Sequence, residues 1–200
     1  MRCTTIAMLV VALAGCSKDT DPEGLARPEP STVAEPEPEP EPSPLDVILD
    51  ATDFQAALEV ARPLLADAVD EPSLGAVLLG IWAAKRMTWT DVAVKRDETT
   101  IRKVLKDPST ERGKRMCIRG RIVQIHRDRS IDEPLWIGLL ADRRRDMVHF
   151  IGAGSTGDLV QGSRARFCGA VTGTYSYANT GGGTTHAVEL VGMFDLSRGR

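Results

Sequence analysis

No apolar run in this 200-residue chain reaches the ~20 residues that a helix needs to cross a bilayer. The stretch from Ile6 to Leu13 is much shorter. A second apolar pattern, carrying Val77, Leu78, Ile81 and Trp82, runs at once into Lys85 and Arg86. Aromatic residues make up only 4% of the chain, so few large rings are available to fill a core. The three histidines, His126, His149 and His186, lie far apart and lack a ligand spacing such as His-x-x-His; neither a metal nor a cofactor is predicted. Ser155, in Gly154-Ser155-Thr156-Gly157, lacks the Gly-x-Ser-x-Gly elbow of a strand-to-helix nucleophile. Gly152-x-Gly154-x-x-Gly157 has the spacing of a dinucleotide fingerprint and follows a strand pattern. No helix pattern and distal acid complete a βαβ unit after it, which argues against that reading. The chain therefore reads as a non-enzyme, with no catalytic residues to name.

What is present starts at the N-terminus. Arg2 supplies a positive region, Ile6 to Leu13 an apolar one, and Leu13-Ala14-Gly15-Cys16 places small residues before a cysteine. That is the pattern of a secretory signal peptide. Its end resembles the lipobox of bacterial lipoproteins, which implies that Cys16 is lipidated, becomes the mature N-terminus and anchors the protein to a membrane. Ser17, not aspartate, follows Cys16; by the same resemblance this favours the outer membrane, facing the periplasm, over retention at the inner one.

Four cysteines then divide by compartment. Cys3 leaves with the signal peptide and Cys16 carries the lipid. Cys117 and Cys168 remain, an even pair in an oxidising space, and read as one disulfide. The alternative is two buried free thiols acting as small hydrophobes.

The formal charge of −3 conceals an asymmetry. Ser17–Pro44 carries −6, Leu45–Arg112 carries −3 and Gly113–Arg200 carries +5, so a basic module closes an otherwise acidic protein. Within the acidic stretch, Glu35-Pro36-Glu37-Pro38-Glu39-Pro40-Glu41-Pro42 predicts an extended, self-repelling polyproline II spacer. The organisation predicted is a signal peptide over 1–15, a lipidated Glu-Pro-rich linker over 16–44, a helical segment over 45–112 and a β domain over 113–200.

In the helical segment, Phe54, Ala57, Leu58, Ala61, Leu64, Leu65 and Ala68 recur at helical spacing, capped by Thr52 or Asp53, with Pro63 as a possible kink. A second helix is predicted after Ser73. A third spans about Thr100 to Lys106 and stops at Asp107-Pro108, because the residue before proline avoids the helical region. From Gly113 the period becomes two. Five strands are predicted, over Arg115–His126, Leu135–Ala141, Met147–Gly152, Ser163–Tyr177 and Thr184–Phe194. The apolar phase of the first shifts between Ile122 and Val123, as at a bulge. Asn179-Thr180-Gly181-Gly182-Gly183 marks a hairpin between the last two.

Five strands with a long bent first one suit a small OB-type barrel, making the fold class α+β. The segments Lys106-Asp107-Pro108, Gly113-Lys114-Arg115 and Cys117-Ile118-Arg119-Gly120-Arg121-Ile122, with Gly162-Ser163-Arg164-Ala165-Arg166-Phe167-Cys168-Gly169, resemble exported bacterial OB domains of the anticodon-binding-like type. The likeness spans roughly Lys106 to Leu196 and bears on fold, since the fold hosts many activities. In such a barrel the first and fourth strands are neighbours, so a Cys117–Cys168 bridge needs no unusual geometry. Arg119 and Arg121 share a strand face with Cys117, and Arg164 and Arg166 share one with Cys168. The four arginines are candidate polyanion ligands, with Arg143-Arg144-Arg145 set apart in the next loop. The phase fits equally a solvated face with arginines paired to scattered carboxylates, the commoner situation. Trp136, Tyr175, Tyr177 and Asn179 are candidate ligand-loop residues; Tyr175 and Tyr177 also continue the phase of Phe167 and Val171 and fit as packing at the barrel rim. The function predicted is binding or scaffolding in the cell envelope, with an envelope protein or polyanionic ligand as partner. Nucleic acid is the alternative ligand without a specific motif, and an envelope enzyme is the remote one.

Overall fold

A computed structural model describes residues 42–197. The predicted signal peptide, with Cys3 and Cys16, and nearly all of the predicted acidic linker lie outside the described residues.

The helical segment is built from short, individually capped pieces. Helix α1 (Pro44–Leu49) starts behind Ser43, whose hydroxyl accepts from the Asp46 amide, and α2 (Phe54–Ala61) behind Asp53, which accepts from Ala56 N–H. Phe54, Ala57, Leu58 and Ala61 form the buried stripe of α2. The helical pattern does not continue to Ala68. Pro63, with no amide hydrogen to give, lies in a 3-10 turn (Arg62–Leu64) that ends the helix. The chain then extends, and Ala68–Val69 forms a two-residue strand, β1, instead of a helical turn. Ser73 caps α3 (Leu74–Arg86), as its sequence predicts. Helices α4 (Trp89–Val92), α5 (Ile101–Lys106) and α6 (Pro108–Glu111) follow, the last two meeting at Asp107. Among the described residues no helix is long and apolar enough to cross a membrane.

The five predicted strands are β2 (Arg115–Asp128), β3 (Leu135–Asp142), β4 (Met147–Ala153), β5 (Arg164–Ala178) and β6 (Thr184–Phe194). They pair in the order β5-β2-β3-β4-β6, and β6 returns to β5, so the sheet closes on itself. The β4–β6 pair is parallel and the other barrel pairs are antiparallel. The protein is thus α+β, with a small five-stranded mixed barrel of OB-like order. The register of β2 on β3 slips between Ile122 and Gln124, at the predicted phase change. Gly120 has no substitute there: a Cβ would lie 2.2 Å from the Ala141 carbonyl oxygen.

Two apolar layers share the sheet. Inside the barrel, Ile118, Ile122, Leu140, Val148, Val188 and Leu190 surround Phe150, Phe167 and Phe194, whose centroids stand 4.9–5.4 Å apart. Outside, α1 to α3 bring Ile48, Leu58, Leu79 and Trp82 against Leu135, Ile151, Cys168 and Val191. Trp82 donates its indole N–H to the Ala51 carbonyl at 3.0 Å. Strands β5 and β6 are therefore buried on both faces, and the helices and barrel share a core. Cys117 and Cys168 form a disulfide at directly opposed positions of β2 and β5, with Cα atoms 4.0 Å apart.

Candidate functional site

The disulfide is one rung of a ladder. Beyond it, Arg119 faces Arg166 and Arg121 faces Arg164, so four arginines stand on two successive cross-strand pairs. Like charges so placed repel mildly. All four line a groove of about 1010 Å³ with Asp142, Arg143, Asp158, Leu159, Asp195 and Leu196. Arg143 is not set apart from the others. Asp142 folds the β3–β4 turn back by accepting from the amides of Arg144 and Asp146, and Arg145 takes the left-handed region at φ 68°. That turn brings Arg143 to the groove. The opposite wall is the Thr156–Leu159 segment. The loop that carries it is fastened to the barrel by Ile122 N–H to Ser163 O and Gly162 N–H to Ile122 O.

The arginines are not equivalent. Arg166 is engaged on every side: it pairs with Asp195 at 3.0 Å, approaches Cys117 Sγ at 3.3 Å and lies 5.6 Å from the centre of the Trp89 ring. Asp195, nearly buried, is held below the ordinary carboxylate range first by the Ser197 hydroxyl and also by the Arg166 guanidinium. Arg121 donates to the Gly162 carbonyl. Arg119, Arg143 and Arg164 make no ion pair or side-chain hydrogen bond among the described residues, although their strands and turn hold them together. Every Lys/Arg position after Lys114 is arginine, the side chain whose planar fork best matches oxyanions. Five arginines against three aspartates, two of which are already engaged, leave the groove an anion-seeking surface.

The other predicted residues separate. Tyr175 and Tyr177 do not continue the inward phase of Phe167 and Val171, because the β5–β6 register slips between Val171 and Gly173 and turns them outward. Tyr175 stacks on His149, with centroids 3.9 Å apart, and donates its hydroxyl to the Asp70 carbonyl at 2.6 Å. Tyr177 stacks beside it at 5.9 Å. Burial raises both phenol pKa values, which keeps the hydroxyls neutral. Trp136 is placed apart from them: it packs against the barrel core and donates to the Gly154 carbonyl at 3.0 Å. Asn179 shapes its own turn, accepting from the amides of Gly181 and Gly183 while its amide donates to Thr185. Among the described residues no three His, Cys, Asp or Glu side chains are placed to hold a metal ion.

Arg143 and His149 are the site residues that strand phase alone misses. The signal for Arg143 was the Asp142-x-x-x-Asp146 turn; for His149 no local signal exists, because its partner Glu189 is forty residues away. Compared with known proteins, the chain matches no family model and no curated protein.

Proposed function

We propose that this chain is a membrane-anchored envelope lipoprotein that binds an anionic ligand, without catalysis, through the arginine groove of its OB-like barrel. The observation that supports this reading is the convergence of Arg119, Arg143 and Arg164, three guanidinium groups without carboxylate partners among the described residues, on one concave surface. A solvated face pairs its arginines with neighbouring carboxylates; in this groove, among the described residues, only Arg166 is paired so. Anchoring rests on the lipobox-like Leu13–Cys16 segment, and an outer-membrane location on Ser17. Scaffolding of an envelope protein remains the same surface's other use, with an acidic partner.

The binding test is a salt titration with oligothymidylate and inorganic polyphosphate as probes. Affinity should fall linearly on a log–log plot, with a slope of about −0.7 to −0.9 per phosphate neutralised, as counterions are released. Arg119→Ala with Arg164→Ala should flatten that slope by roughly two such contacts. A salt-independent affinity, or a double variant that binds like the parent, would sink the reading. For the anchor, labelling with a palmitate analogue should vanish in Cys16→Ala and persist in Cys3→Ala.

A further inference from the structure

The rim of the arginine groove carries a second kind of side chain. Leu159 and Leu196 line the groove beside the arginines, and Val160 follows Leu159 directly. Val160 is 62% exposed and Leu196 41% exposed. Neither belongs to loose chain. Val160 opens a tight turn, in which its amide donates to the Ser163 hydroxyl at 3.1 Å and its carbonyl accepts from the Ser163 amide at 3.0 Å. Leu196 stands between two held residues: Asp195 N–H donates to the Arg166 carbonyl, and Ser197 N–H donates to the Asp195 carboxylate. Its side chain lies over Gly157, where a Cβ would be 3.6 Å from the Leu196 Cδ2 methyl. A single exposed aliphatic side chain is ordinary on a protein surface. Here two are held open at fixed positions beside five arginines, so one rim offers both charge and apolar area.

We propose that the groove docks on an anionic phospholipid surface, taking headgroup phosphates between its arginines while Val160 and Leu196 enter the interface. This rests on the anion-binding reading of the groove and names its ligand. Docking at a lipid interface draws on both components, buried apolar area and attraction to anionic headgroups. A dissolved polyphosphate uses the arginines alone and gains nothing from the aliphatic pair. A single-stranded nucleic acid gains by stacking its bases on aromatic rings, and no aromatic residue lines the groove. Arginine suits the headgroup level: its planar fork takes phosphate oxygens in pairs, and it is more weakly hydrated than an ammonium group. Arg119, Arg143 and Arg164, which make no ion pair among the described residues, supply these contacts, while Arg166 stays with Asp195. Asp158, on the same wall as Leu159, opposes docking, because its carboxylate meets a surface of its own sign.

The test is vesicle sedimentation of the full chain, with Cys16→Ala in every sample so that no acyl group contributes. Vesicles of phosphatidylglycerol and phosphatidylcholine in equal parts are compared with phosphatidylcholine alone and with dissolved polyphosphate. The N-terminal segment is common to all variants, so differences between them report the folded part. Val160→Ser with Leu196→Ser should weaken binding to the anionic vesicles by about tenfold and leave polyphosphate binding unchanged. Both positions are exposed, so the fold should tolerate the change. Arg119→Ala with Arg164→Ala should weaken both kinds of binding, that to vesicles by about thirtyfold. Asp158→Asn should strengthen vesicle binding by about fivefold. An aliphatic double variant that sediments like the parent, a parent that binds both kinds of vesicle equally, or capture of oligothymidylate without anionic vesicles would each overturn the proposal. If polyphosphate binding persists in those cases, the groove still binds anions and the lipid assignment alone falls. If the arginine variant binds polyphosphate like the parent, both readings fall.

Discussion

At the Arg119 end of β2 charge stands on half-open, mutually repelling side chains, several of them without partners among the described residues. Toward its His126 end the nearest buried charge, Glu189, is fully enclosed and tied to Thr172 and His149. One barrel thus carries both extremes of protein electrostatics. In the groove water screens the repulsion, so assembling the arginines costs the fold little and their field is available to a ligand. Around Glu189, which has no exposed surface, solvent does not screen the charge, so each polar atom must be matched or the fold is weakened. A charge screened by water tolerates substitution; a buried charge held by matched partners does not.

That contrast can be broken by mutation, most strongly at Glu189. Glu189→Ala strips His149 and Thr172 of their fully buried partner and should cost about 3–5 kcal/mol in chemical denaturation. A cost under 1 kcal/mol would mean that the chain of hydrogen bonds is not a unit. Next in size, the double change Cys117→Ala, Cys168→Ala should cost about 2–4 kcal/mol, since the bridge closes a loop 51 residues apart in sequence. Non-reducing mass spectrometry of the parent should show the two tryptic peptides joined. A smaller effect is expected at the groove's Arg166–Asp195 pair. Asp195, whose pKa is lowered in the fold, contributes stability above its unfolded pKa, and this is lost as pH falls through its folded value. Asp195→Asn should therefore destabilise by about 1.5 kcal/mol at neutral pH and remove the corresponding part of the acid-side decline. Arg119→Ala with Arg164→Ala should shift stability by less than about 0.5 kcal/mol, in either direction, while acting on anion binding. A large destabilisation there would make those arginines structural and erase the contrast.

The strands were legible because each has a buried face of period two and a turn of known chemistry at its end. Asn179 with its glycines, and the Ile122 bulge, are local events that sequence displays directly. The arginine ladder was legible for the same reason: strand phase and one cysteine pair fix which side chains oppose each other. Three things were not. Val69, the second residue of a two-residue strand, reads as nothing until β5 lies beside it. The outward turn of Tyr175 depends on a slip in β5 after Val171 that no local residue pattern announces. His149 finds Glu189 through the parallel β4–β6 pairing, a contact that exists only once the barrel is closed. Non-local pairing, not weak propensity, is what hid them.

The Cys117–Cys168 bridge also bears on the order in which the molecule assembles. Pairing β2 with β5 carries a loop-closure cost, because some fifty residues must be drawn into a loop before any contact rewards the loss of freedom. Once oxidised, the chain carries that closure through every unfolding and refolding. It also carries the register: a slip of one residue between these strands would turn the arginines inward, and a covalent rung forbids it. The oxidised protein should refold faster than the reduced one under identical conditions, with its charge ladder already in step. The covalent bond works as a memory of alignment, written once on oxidation and retained by a chain that has otherwise lost its shape.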